Sequence, residues 1–255
     1  SDYIDNTVTN GTTYYYVVTA VDIADNESGD SNEVFATPFA PTPLLLAQYA
    51  FDGDASDSTG HGFDGIATGS PGYVTGVLDQ AINLDGSNDL VTLPAGVADS
   101  SDITIAMWVN WDGGDNWQRI FDFGNDTTEY MFLTPSSGSD TLRFTISTDG
   151  NDGEQRVETT QLSEGEWVHL AVTLEGDVAT LYVDGEPVAS NDAVTVNPSD
   201  FMPVYNYVGD SQFSADPLFD GRIDEFRIYN YALSERAIAR LATGAPDVTP
   251  PAAPT

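Results

Sequence analysis

Apolar and polar residues alternate along most of this chain with a period of two, the spacing of a strand whose side chains point to opposite faces. The pattern predicts strands at 44–51, 80–84, 89–93, 102–111, 118–123, 129–133, 141–147, 155–160, 167–174, 178–184, 187–189, 204–208 and 221–229. Turn signals separate them at Asp85-Gly86, Gly113-Gly114, Gly150, Asp184-Gly185 and Gly221. Asp184-Gly185, set between Leu181-Tyr182-Val183 and Pro187-Val188, predicts a tight hairpin. Many short strands with frequent turns predict a sandwich or jelly roll. One helix is predicted over 235–242, with Ser234 as its N-cap and Gly244 as its stop.

The first residues follow the same rule on a smaller scale. Tyr14, Tyr16, Val18 and Ala20 alternate with Tyr15, Val17 and Thr19 as one strand, and Asn32 to Thr37 reads as a second, ended by Pro38. Two strands do not fold alone, so 1–38 reads as the end of a domain. Phe39 to Pro43 is a linker, 44–243 the main domain, and 244–255 a stiff Pro-rich segment leading to a further domain. Covalently linked neighbouring domains are therefore expected.

Charge narrows the setting. The 255 residues carry 41 acidic side chains against 7 basic ones, a net charge of −34. Such a surface repels nucleic acid and anionic membranes, and salt screens its self-repulsion. Neither nucleic acid nor membrane insertion is expected, and no apolar run approaches the roughly 18 residues of a membrane span. Cysteine is absent, which excludes a disulfide framework and Cys-based zinc. A secreted or cell-surface location in a saline medium fits these features.

Asp224 has the strand parity of Phe226 and Ile228. An acid on an apolar face needs partners, and these are either a cation or backbone N–H groups. Two stretches imitate EF-hand loops and fail: the one from Asp52 has Asp57 at its sixth position and Phe63 at its twelfth, and the one from Asp149 has Thr160 at its twelfth.

Two resemblances give the pattern a context. Gly11-Thr12-Thr13-Tyr14-Tyr15-Tyr16-Val17-Val18-Thr19-Ala20-Val21-Asp22, with Asn26-Glu27-Ser28 and Ser31-Asn32-Glu33-Val34, resembles the last third of a fibronectin type III domain. In 44–243 the ordered motifs are Tyr49-Ala50-Phe51-Asp52-Gly53, Ala81-Ile82-Asn83-Leu84-Asp85-Gly86, Ile103-Thr104-Ile105-Ala106-Met107-Trp108-Val109, Trp167-Val168-His169-Leu170, Leu181-Tyr182-Val183-Asp184-Gly185 and Phe219-Asp220-Gly221-Arg222-Ile223-Asp224-Glu225-Phe226-Arg227. They resemble the laminin-G-like, concanavalin-A-like jelly rolls of bacterial exported proteins. The resemblance implies an all-β, two-sheet antiparallel jelly-roll sandwich whose first and last strands pair and hold a structural calcium. It implies Asp52 and Asp224 as ligands, with backbone oxygens from the turns holding Gly60 or Asp85.

Chemistry is sparse. No Glu-x-Asp-x-x-Glu string aligns carboxylates on one strand face, and there is neither a Gly-x-Ser-x-Gly elbow nor a phosphate loop. His169 reads as structural, and His61 as exposed or near the metal. Trp108 and Trp167 read as core. Large aromatics beside polar turns are candidate sugar platforms: Trp111 and Trp117 with Asn116 and Arg119, and Tyr205 and Tyr207 with Asn206 and Gln212. The leading expectation is a non-catalytic carbohydrate-binding or adhesion module for a polysaccharide or cell-surface glycan. A calcium-stiffened spacer that binds no glycan is the alternative, and a jelly-roll glycan-cleaving enzyme the third.

Overall fold

The computed structural model describes Val8, residues 12–37 and residues 44–244. The linker expected at 39–43 and the Pro-rich segment beyond Gly244 lie outside the described residues. The chain divides after Thr42 into two compact units. In the first, β1 (Tyr14–Tyr16) and β2 (Val34–Ala36) form an antiparallel pair with Tyr15 opposite Phe35. Both rings are exposed, and no described residue of this unit is a buried hydrophobe. The hairpin's turn is held instead by Asp22, whose Oδ1 accepts the Ala24 and Asn26 N–H groups.

The second unit begins with β3 (Leu45–Tyr49), β4 (Ile66–Thr68), β5 (Gly72–Thr75), β6 (Gln80–Asp85), β7 (Leu90–Leu93) and β8 (Ile103–Trp111). It continues through β9 (Phe121–Gly124), β10 (Tyr130–Thr134), β11 (Thr141–Ser147), β12 (Gln155–Thr160), β13 (Trp167–Glu175) and β14 (Val178–Val183). The last elements are β15 (Glu186–Asn191), β16 (Tyr205–Val208), β17 (Asp220–Tyr229) and α1 (Glu235–Leu241). Two antiparallel sheets result, a jelly-roll sandwich as the alternation predicts. One has seven strands in the order β12-β11-β10-β9-β16-β7-β4. The other has eight, with β15-β14-β13-β8-β17-β6-β5 in line and β3 also paired to β17. First and last strands of the unit do pair, Tyr49 opposite Phe226 and Ala47 opposite Ile228. Asp184 and Gly185 both take positive φ, 50° and 84°, and turn β14 into β15, as a type I′ hairpin requires.

The core lies between the sheets. Phe121, Phe123, Phe144 and Val208 face Met107, Val109, Leu170 and Phe226 across it. Phe226 packs edge-on against Phe121 and Phe123. A second, smaller cluster covers the outer face of the eight-stranded sheet, where Leu233, Ile238 and Leu241 pack on Ala106, Ala171, Tyr182 and Tyr229. Ser234 Oγ accepts the Ala237 N–H as the N-cap.

Three expectations are corrected here. Strand β8 runs through Trp111, which therefore has the parity of Met107 and Val109 and lies in the core at 1% exposure. Its indole N–H is donated to Gln118 Oε1, so it offers no sugar platform. Trp108 and Trp167, expected in the core, are half-buried on the outer face. Asp224 does not share the face of Phe226: a β-bulge intervenes, with Glu225 at φ 53°. An added residue reverses the parity beyond it. Asp224 pairs with Trp108 on the outer face, while Phe226 and Ile228 point into the core.

Candidate functional site

Along the seven-stranded sheet the register sets Thr92, Tyr207, Asp122, Phe132, Thr145 and Arg156 in one row, on the face away from the core. Tyr205 and Tyr130 lie one row over on the same face, each paired with Gly124. Tyr205 and Tyr207 therefore share the face of Phe132 and Tyr130. The segment from Gly209 to Phe219 folds back across it. Ser211 Oγ and the Gln212 N–H meet Asp122 Oδ2 at 3.3 and 3.1 Å, and Phe213 packs edge-on against Tyr130 at 5.3 Å.

A cleft of about 480 Å³ opens beside this segment, lined by Trp117, Arg119, Phe132, Glu154, Phe213 and Asp216, with Asn151 and Arg156 at its rim. Trp117 and Phe213 are half-buried. Arg119 lies between them and is itself 2% exposed. Its guanidinium sits 3.8 Å over the Phe132 ring, with Trp117 at 5.5 Å and Phe213 at 5.9 Å. One guanidinium nitrogen donates to the Trp117 carbonyl at 2.7 Å and the other to Asp216 Oδ2 at 2.7 Å.

Trp117 has φ 74°, a conformation costly for a bulky residue. Several contacts hold it there. Its N–H donates to Ser136 O, Arg143 lies 5.2 Å from its ring, and Gly138 lies so close that a Cβ would come within 3.2 Å of the indole. Arg119, Arg143 and Arg156 are three of the 7 basic residues of the chain. Asp216, Asp122, Glu154 and Glu158 pair with them, so the cleft is close to neutral within a strongly acidic molecule. Burial raises Asp122 to about 7, opposed by Arg119 and the bonds from Gln212 and Ser211.

The structure brings Trp117 and Arg119 into the cleft and adds Phe132, Phe213, Asn151, Glu154, Arg156 and Asp216, none of which stands out in the sequence. These residues come from separate segments, and only the register and the folded-back loop join them. Tyr205 is 52% exposed and Tyr207 half-buried, outside the cleft on the same face. Gln212 donates its side-chain amide to Tyr205 O. Asn116 is half-buried, bonded to Ser136 Oγ at 2.7 Å. Asn206 is excluded: it has the parity of Val208, is fully buried, and donates to Pro94 O and Pro203 O.

On the opposite sheet, Asp224 is fully buried, and its Oδ2 accepts the Val77 and Leu78 N–H groups at 2.7 and 2.9 Å. Its Oδ1 has no partner. Burial raises its pKa to about 6, and Glu225 and Asp52 add to the rise. Asp52 is exposed and accepts the Gln80 N–H. An orphaned buried carboxylate oxygen near a second carboxylate fits a hard, oxygen-seeking cation. No group of three or more acidic or histidine side chains that could hold a metal occurs among the described residues, so backbone carbonyls would have to complete the shell. Asp85 pairs with Asp220 at the other end of β17, and its carboxylate accepts the Ser87 and Asn88 N–H groups. Gly60 lies on an exposed turn pinned to β3 through Ser58 and Thr59. His61 Nδ1 is 2.9 Å from Leu46 O.

The fold defines the class, a two-sheet antiparallel jelly-roll sandwich. The profile of the Concanavalin A-like lectin/glucanases superfamily matches residues 85–239, more than half of the chain, and the chain belongs to that family. Among solved structures, it is similar to domain 4 of AbnA, a GH43 extracellular arabinanase from Geobacillus stearothermophilus, in complex with arabinotriose. The identity is 26% and the TM-score 0.71, over 79% of this chain and 99% of that one. It is also similar to the binding domain of Paraclostridial Mosquitocidal Protein 1 (17% identity, TM-score 0.59, 78% of this chain) and the receptor binding domain of botulinum neurotoxin C/D mosaic serotype (14%, 0.63, 78%). The chain spans about half of each toxin domain, 52% and 51%, and that likeness shows the fold alone. Comparison with curated protein sequences finds no match. No helix among the described residues is long and apolar enough to cross a membrane.

Proposed function

We propose that this chain is a non-catalytic carbohydrate-binding module of a secreted or cell-surface protein, and that it takes a neutral glycan in the Trp117–Phe213 cleft. The observation that carries the reading is the cleft's composition. Two half-buried aromatics flank a guanidinium fixed by Asp216, and a second carboxylate–guanidinium pair, Glu154 with Arg156, lines the cleft. Aromatic rings cover apolar sugar faces, and paired charges offer hydroxyl groups both donors and acceptors. Near-neutral local charge favours an uncharged ligand over a polyanion, which the surrounding −34 repels. The likeness to an arabinotriose-bound domain supports the class of ligand and makes arabino-oligosaccharides the first probes. Joined to neighbouring domains, such a module would raise local concentration at a glycan surface.

A structural calcium on Asp224 and Asp52 belongs to the same reading, supported by the orphaned Asp224 Oδ1. It would neutralise a buried carboxylate and fix the 76–80 turn onto β17, with no part in ligand chemistry. Calorimetric titration with arabinotriose and a panel of neutral polysaccharides tests the module. Trp117→Ala should weaken binding tenfold or more, about 1.4 kcal/mol. Binding by Trp117→Ala equal to that of the unaltered chain would place the ligand elsewhere.

A further inference from the structure

Asp122 does not line the cleft, yet both of the cleft's aromatic walls lead back to this carboxylate. Toward one wall, Asp122 Oδ2 lies 3.5 Å from Arg119 Nε, and Arg119 holds the Trp117 carbonyl. Toward the other, Asp122 Oδ2 takes the Gln212 N–H and faces Ser211 Oγ, which in turn accepts the Phe213 N–H. Asp122 is fully buried, and its Oδ1 has no partner. Arg119 stays charged, because Asp216 Oδ2 sits 2.7 Å from it.

We infer that Asp122 is a positioning residue for the cleft, and that its ionised form assembles the Trp117 and Phe213 walls. The inference rests on the glycan-binding reading for its functional consequence, though its structural part stands alone. The mechanism is one of shared donors. Ser211 has a single hydroxyl proton and two carboxylates within reach, Asp122 at 3.3 Å and Asp216 at 3.0 Å. The Asp122 anion competes for it and draws Arg119 inward. Protonation removes that charge and its 3.5 Å attraction on Arg119 Nε, leaves Arg119 to Asp216, and loosens both walls. The charged groups acting on this position are Arg119, just before β9, and Asp216, on the Gly209–Phe219 segment that also carries Asp210. Glu154 faces it through Arg119, and burial raises the phenols of Tyr130 and Tyr207, which stay neutral there. Burial places the Asp122 transition near neutrality, at about 7.

Two readouts on the full chain test this. The first needs no ligand: the tryptophan fluorescence of the unaltered chain, less that of Trp117→Phe, followed from pH 5.5 to 8.5. A transition near pH 7 that vanishes in Asp122→Asn is expected. A flat difference signal, or a transition that persists in Asp122→Asn, overturns the inference. The second is arabinotriose affinity over the same range. It should fall several-fold from pH 8.5 to 5.5 in the unaltered chain, and in Asp122→Asn stay at the weak limit throughout. An affinity that varies with pH equally in Asp122→Asn, or not at all in the unaltered chain, also overturns it. Should Asp122→Asn fail to fold, the unaltered chain's own profile and Ser211→Ala decide. Ser211→Ala should weaken binding while keeping the transition, and loss of the transition would assign it to Ser211 and Asp216 instead. If no glycan binds at any pH while the fluorescence transition appears, the glycan reading fails and the positioning role stands.

Discussion

The outer faces of the two sheets differ in how they pair their buried charges. On the seven-stranded sheet, Arg119, Asp122, Ser211 and Asp216 form a connected network, and the face stays open beside it as a cleft. On the eight-stranded sheet, helix α1 and the 76–79 turn cover much of the face, and Ile238 and Leu241 supply the helix's packing against it. Unmet polar atoms occur on both faces: Arg119 Nε, Asp122 Oδ1 and Thr145 Oγ1 on the seven-stranded sheet, and Trp108 Nε1, both ring nitrogens of His169, Asp224 Oδ1 and Arg227 Nε on the eight-stranded one. The open face sets carboxylates against guanidinium groups, whereas Asp224 and His169 on the covered face carry their desolvation cost with no opposite charge beside them. Half-exposed aromatics therefore mark a site only where the charges around them are both paired and reachable.

The largest effect that sharpens the contrast is in stability. Trp111→Ala should cost about 3–5 kcal/mol, as loss of a core Trp does, while Trp117→Ala should cost roughly 1–2 kcal/mol. Denaturant midpoints for the two variants check this, and equal losses would return Trp117 to the core.

The next concerns Asp224. Its folded-state pKa is raised from 3.8 to about 6, chiefly by burial. The stability tied to its neutral form is complete below about pH 3.8 and is lost as pH rises through 6. That loss is on the order of 1–3 kcal/mol. Calcium should restore it, by about 2.7 kcal/mol at a hundredfold excess over Kd. Asp224→Asn should remove both the pH slope and the calcium response in melting experiments. Melting of the unaltered chain that ignores calcium and chelator alike would end the metal assignment.

His169 should act with the opposite sign and a comparable effect. Burial, and then Arg227, lowers its pKa to about 4. The stability tied to its neutral ring is present above about pH 6.5 and is lost as pH falls through 4. In His169→Phe the acid limb of the stability profile should flatten by on the order of 1–3 kcal/mol. The smallest expected change is Gly138→Ala, where the new Cβ presses on the Trp117 indole. Affinity should fall a few-fold, with stability altered by well under about 1 kcal/mol.

The sandwich was legible in the sequence because alternation, glycine turns and the Asp184-Gly185 hairpin are local signals. Strands β4 and β5 were not, since Ile66–Thr68 and Gly72–Thr75 are short edge segments with largely exposed side chains. Of the candidate site, Trp117 and Arg119 were visible as large residues beside a glycine turn. The place of Trp111 was written in its parity with Met107 and Val109, a signal that the adjoining Asp112-Gly113-Gly114 turn masks. Asp224 was out of reach, because a one-residue bulge carries no local signature. Asp122 and Phe213 acquire their roles only through pairings between distant segments, such as Asp122 with Gln212. No periodicity encodes such pairings.

The central claim is that the glycan binds on the open face and not on the covered one. Parallel calorimetric titrations of Trp117→Ala and Trp167→Ala, with the neutral glycan that the unaltered chain binds, test it most directly. Trp117→Ala should lose tenfold or more in affinity while Trp167→Ala stays within about twofold of the unaltered chain. A loss confined to Trp167→Ala would contradict the account and move the site to the eight-stranded sheet.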